Sequence, residues 1–142
     1  MSRALEQADL LSALATHLRA YPHLQRVNVG ESAAGFELQI MGYRHLGQPD
    51  GVEALLAWAK TFERPEITIR WHQQRTLVTT VSITTRLGGH AVEVWDTDDG
   101  DLHRWLTGGP HDRTVITLAQ LAAYVAAGTV EHANEHAPAV TS

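Results

Sequence analysis

From Glu66 to Leu106 apolar and polar residues take turns almost without a break, and the interruptions are short turn sequences. A period of two sends successive side chains to opposite sides of an extended chain. The stretch therefore predicts antiparallel strands with one buried face and one wet face. Ile67, Ile69 and Trp71 share one side of the first strand. Leu77, Val81, Ile83 and Leu87 share one side of the second, with Thr79 and Thr85 between them. Gly88-Gly89 reads as a two-residue hairpin turn, whose central positions need positive φ. That turn sets Ile83 opposite Val94 and Thr85 opposite Val92, so turn chemistry and hydrophobic pattern agree. Asp99-Gly100 is a second turn signal and would set Val94 opposite Trp105 and Trp95 opposite Arg104. The loop around Gln74 needs an odd length, three or five residues, because four would turn the whole strand over.

The flanking segments read as helices and one more hairpin. Leu10, Leu11, Leu14 and Leu18, with Ala8 and Ala15 beside them, form an apolar stripe that Tyr21-Pro22 ends. Val27 and Val29, then Phe36, Leu38 and Ile40, alternate as two strands joined by residues 30–35. Asp50 and Glu53 have capping-box spacing ahead of the stripe Val52, Leu55, Leu56, Ala59 and Phe62, which Arg64-Pro65 stops. Trp58 lies off that stripe, at a core edge or at an interface. Thr117 and Gln120 form a capping box, with Ile116 and Leu121 as a hydrophobic staple. Leu118, Leu121, Ala122 and Val125 face inward and Gly128 reads as the stop. The expected fold is α+β in the order α-β-β-α-β-β-β-β-α, a single mostly antiparallel sheet with helices packed on one face. Residues 1–128 form one domain in this reading and 129–142 a flexible C-terminal tail.

Composition narrows the function classes. The chain has 142 residues, 44% of them hydrophobic and 19% charged, enough for one core of its own. A formal charge of −5 argues against a dedicated nucleic-acid binder, which carries a basic surface. The absence of cysteine excludes disulfides, thiolate nucleophiles and Cys-based zinc sites. The N-terminus has no signal-peptide run and no segment has the length of a membrane span, so the expectation is a cytoplasmic protein with no membrane partner.

Motifs of chemistry are few. His132-Ala133-Asn134-Glu135-His136 matches H-x-x-E-H, in which two imidazoles four apart on a helix grip zinc and a carboxylate activates water. Only Ala137 to Ser142 follow, too little to bring the further ligand such peptidases need, so His132 and His136 remain weak metal candidates. Asp96, Asp98, Asp99 and Asp101 crowd one segment, but Gly100 and Thr107 stand where an EF-hand requires other residues; a hairpin tip explains them. Asp96 and His103 would be opposite each other in the register above. No G-x-S-x-G, no P-loop and no G-x-G-x-x-G is present, so no catalytic residue is assigned and no cofactor is called for.

The wet face of the strands is the most suggestive surface. It would carry Thr68, Arg70, His72, Thr80, Ser82, Thr84, Arg86, Glu93, Trp95 and Arg104, a mixture able to stack and hydrogen-bond. The same composition suits an ordinary solvated sheet face. The loop Gly42 to Pro49 adds Tyr43, Arg44 and His45, an aromatic, a cation and an imidazole. Binding candidates are therefore Arg70, His72, Arg86, Trp95, Arg104, Tyr43, Arg44 and His45.

The run Leu55-Leu56-Ala57-Trp58-Ala59-Lys60-Thr61-Phe62, with Ile67 to Trp71 and Val81 to Leu87, resembles a pattern of small actinobacterial α+β proteins. In these a helix rich in Leu, Ala and Trp precedes a Thr-rich strand pair. The resemblance brings no active site with it. Two functions of different class stay open. One is a non-enzymatic interaction or regulatory module that recognises a protein partner, or itself as a homodimer, through the open sheet face or a sheet edge. The other is a small-molecule binder or modest enzyme with a pocket between sheet and helices, lined by Trp71, Trp105 and Tyr43 with His103 or Asp96 as polar groups.

Overall fold

The computed structural model describes residues 2–32, 35–41, 51–73, 77–98 and 114–136, and the side chains of these apart from 71–73, 77–79, 98 and 128–136. Among the described residues the elements are α1 (Arg3–Ala20), β1 (Val27–Ser32), β2 (Gly35–Ile40), α2 (Gly51–Ala59), β3 (Glu66–Gln73), β4 (Leu77–Leu87), β5 (His90–Asp98), β6 (Thr114–Ile116) and α3 (Leu118–His136). The strands form one sheet in the order β1-β2-β5-β4-β3-β6. Every neighbouring pair is antiparallel except β2 and β5, which run parallel. This is the α+β architecture that the patterning predicts.

The centre of the sheet follows local chemistry closely. Gly88 and Gly89 take φ of 58° and 83°, the left-handed values a two-residue turn needs. Ile83 pairs with Val94 and Thr85 with Val92. Ile67 pairs with Ile83, Ile69 with Val81, and Gln73 with Leu77, which leaves an odd loop of residues 74–76. Parity demanded that odd number. Gly88 has a second constraint: a Cβ there would lie 2.5 Å from the Ala13 Cβ on α1.

The margins differ from the sequence reading. The far side of β5 belongs to β2, with Leu38 beside Val94 and Gln39 beside Trp95. Val94 is therefore not opposite Trp105, and Trp95 is not opposite Arg104. The strand expected after Asp99-Gly100 falls outside the described residues, and β6, a segment not read as a strand, joins β3 with Ile116 beside Ile67. The physical reason is that β2 offers a full apolar row of the right parity. Phe36 and Leu38 extend the rows of Val92 and Val94, and all four are buried. Gly35 permits the approach, since any Cβ there would collide with the Ala91 carbonyl. The first hairpin is also tighter than read, because Gly30, Glu31, Ser32 and Gly35 all enter the ladder.

The three helices of the described residues cover the apolar face. α2 crosses β5, β4 and β2, α3 packs beside it, and α1 lies against β4. Leu10 and Leu14 of α1 are buried, whereas Leu11, expected in the same stripe, is 43% exposed. The Ser2 Oγ caps α1 by accepting the Leu5 N–H at 3.2 Å. The Thr117–Gln120 box forms as expected: Gln120 Oε1 accepts the Thr117 N–H at 2.8 Å and Thr117 Oγ1 accepts the Gln120 N–H at 3.1 Å. α3 then runs past Gly128 to His136. Glycine lowers helix propensity by about 1 kcal/mol relative to alanine, too little to end a helix alone. No helix of the described residues is long and apolar enough to cross a membrane.

Candidate functional site

The sheet face away from the helices is built from the other parity of each strand. One cross-strand row reads Gly30, Glu37, Glu93, Thr84, Glu66. The next reads Asn28, Gln39, Trp95, Ser82, Thr68, Val115. Arg70 neighbours Thr80, and Arg86 neighbours Ala91. Arg70, Thr84 and Arg86 are exposed, while Thr80, Ser82, Glu93 and Trp95 are half-buried. The middle of the face is more sheltered than the patterning implied. Thr68 is only 7% exposed, and neither its Oγ1 nor the Trp95 Nε1 has a hydrogen-bond partner among the described residues. The Arg86 guanidinium donates to the Gly89 carbonyl at 2.9 Å, which holds it beside the turn.

Of the residues singled out from sequence, the structure thus places Arg70, Arg86 and Trp95 on one face. His72 shares that parity on β3, but its side chain is outside the described residues, as is that of Trp71. Arg104, Tyr43, Arg44, His45, His103 and Trp105 lie outside them entirely. While its expected partner His103 lies outside the described residues, Asp96 has a role that was not read for it. Its Oδ2 accepts the N–H of Gly51 at 2.9 Å and its Oδ1 accepts that of Thr97 at 2.8 Å. A strand carboxylate thereby satisfies the first orphan donor of α2, where its charge also meets the positive end of the helix dipole. Asp50, the opener expected from sequence, lies outside the described residues. His132 and His136 fall one turn apart on the α3 backbone, and their side chains are likewise not described. Among the described residues no three His, Cys, Asp or Glu side chains converge as a metal site.

A second polar centre was missed by sequence reasoning. His17 follows Leu10 and Leu14 on the inner side of α1 and meets the end of α2. Its ring lies 5.0 Å from that of Phe62 and 5.8 Å from that of Trp58, stacked on both, and 4.9 Å from Tyr21. Trp58 is fully buried, so of the two placements left open for it the structure chooses the core. Thr61 connects the helices. Its Oγ1 donates its single proton to the Trp58 carbonyl at 2.7 Å, so it must accept from His17 Nε2–H at 2.9 Å. That direction fixes the imidazole proton on Nε2. In this arrangement Thr61 does not donate to the imidazole, as a nucleophile activated by His17 would. Burial holds the His17 pKa below the ordinary histidine value. The signal was present in the spacing 10, 14, 17, 21, an i, i+4, i+3, i+4 series whose last two members are His and Tyr.

His17 borders a groove of about 620 Å³ between the end of α2 and the β4–β5 turn, walled by Thr61, Phe62, Arg64, Thr85, Arg86 and Leu87 among others. Of the pocket residues expected from sequence only Asp96 has a described side chain, and it does not line this groove. No protein-family model matches the chain, no curated protein matches it, and no solved structure matches it.

Proposed function

We propose that the protein is a non-enzymatic interaction or regulatory module that recognises a partner protein through the sheet face opposite the helices. The observation that carries this reading is the one-sided packing. All three described helices lie on the apolar face, and the other presents exposed Arg70, Thr84 and Arg86 around Trp95. A face that carries an aromatic ring, guanidinium groups and hydroxyl groups has a composition enriched at protein interfaces. A second copy of the chain is one partner of this kind, and β1, an edge strand among the described residues, is a further route to it. Within this reading the protein works in the cytoplasm, where a chain without disulfides needs no oxidising compartment.

The test compares wild type with the Arg70→Glu, Trp95→Ser double variant. Sedimentation equilibrium measures self-association, and quantitative affinity capture measures heterologous partners. A partner or dimer retained by wild type and lost by the variant, with unchanged circular dichroism, supports the face. A partner bound equally by both overturns it.

The small-molecule reading keeps one observation of its own, the groove at His17. Asp96, the one described member of the pocket read from sequence, does not line that groove.

A further inference from the structure

β4 outruns β3 at one end. The β3–β4 ladder begins at Glu66 and Thr84, whereas β4 continues along β5 to Leu87 and His90. In a two-residue hairpin the residues flanking the turn exchange main-chain hydrogen bonds, and bonded and non-bonded pairs then alternate along the ladder. Leu87 and Thr85 are thus bonded to β5. Arg86, opposite Ala91, points its N–H and C=O the other way, to the side where β3 has not yet begun. The segment from Thr61 to Arg64, on its way from α2 to β3, forms the facing wall of the groove. A strand edge is therefore left open inside a concave site, and a main-chain donor faces into it.

We propose that this notch binds a monoanionic carboxylate carried on an apolar group. The Arg86 N–H and the Arg64 guanidinium receive the carboxylate; Phe62 and Leu87 receive the apolar body. Arg64 is exposed and forms no ion pair with another described residue, so its charge is available. Guanidinium and backbone N–H together make charge-assisted hydrogen bonds of the kind that select carboxylates. Glu63 stands on the same wall and opposes a second negative charge, which favours a carboxylate over a phosphate. His17 borders the groove without offering its Nε2 proton, which is committed to Thr61. A volume of about 620 Å³ lies within the range of small-ligand sites. The chemistry fits a free organic acid or the C-terminus of a peptide. The site borders the sheet face, sharing Thr84 and Arg86 with it, but its argument does not rest on that reading.

The experiment titrates the full ¹⁵N-labelled chain with sodium hexanoate and with acetyl-glycyl-leucine, and with the amide of each. Both acids, or one of them, shift the amides of Thr61, Arg86 and Gly88 saturably, and neither amide does. Saturation by hexanoate alone identifies a free acid; saturation by the peptide alone identifies a chain terminus. Arg64→Gln weakens binding about tenfold, the loss expected for one charge-assisted contact, and Arg19→Gln leaves it unchanged. The proposal is overturned if neither acid saturates below about 20 mM, if the amides bind as tightly, or if Arg64→Gln binds like wild type.

Discussion

The two faces of the sheet share one backbone and differ in almost everything else. On the helix side Leu38, Val94, Ile83, Ile67 and Ile116 form a single row across five strands, each of them buried. One residue along, the row Gln39, Trp95, Ser82, Thr68, Val115 crosses the same strands, and Val115 is 60% exposed. Pleat parity makes that division. The helix side can be assembled only one way, because a one-residue slip would put every aliphatic side chain in water. The other side tolerates many residues, and so is free to carry recognition. Each face has a ring of the opposite character: His17 is set into the aromatic end of the covered layer, and Trp95 into the hydroxyl-rich open one.

The comparison breaks most sharply at Leu38. Leu38→Ala should destabilise by about 3 kcal/mol in urea unfolding, because it empties the row that joins β2 to β5. Its neighbour on the other face, Gln39→Ala, should stay within about 0.5 kcal/mol. Equal losses would mean the faces are not energetically distinct.

The turn that fixes the parity comes next. Gly88→Ala places a Cβ against Ala13 at a positive φ and should lose about 2 kcal/mol, while Gly89→Ala, with nothing near its Cβ, should lose about 1 kcal/mol. The difference between them measures the contact of α1 with the hairpin. Asp96→Ala removes the acceptor for the first N–H of α2 and should cost about 1 kcal/mol by the same assay.

His17 sharpens the comparison through pH. Its folded pKa lies below the unfolded value, so the unfolded chain binds more protons and stability rises with pH across that interval. The contribution is complete above the unfolded pKa of about 6.5 and is lost as pH falls through the folded one. His17→Gln should flatten that part of the unfolding profile. An unchanged slope in the variant would remove His17 from the account. The smallest effect belongs to the open face: Thr84→Lys should shift stability by no more than about 0.5 kcal/mol, whatever it does to binding.

Legibility tracked the range of the interaction. The Gly88-Gly89 turn, the pairing of Ile83 with Val94, the odd loop before Leu77 and the Thr117–Gln120 box each depend on residues close in the chain, and each was readable. The candidate site was readable in part. Arg70, Arg86 and Trp95 follow from parity on known strands, whereas the Arg86 notch depends on where β3 begins. Leu11 was misassigned because helical spacing marks a stripe without marking its edge.

The sequence by itself determined which residues of β3, β4 and β5 turn inward, since side-chain parity and positive φ are properties of a few consecutive residues. The tertiary structure decided which strand lies beside β5, which carboxylate caps α2 and which rings enclose His17. β5 had an open edge that any strand of suitable parity could have filled. β2 occupies it because Phe36 and Leu38 complete two buried rows and Gly35 lets the backbones meet, a choice that only the assembled core can make.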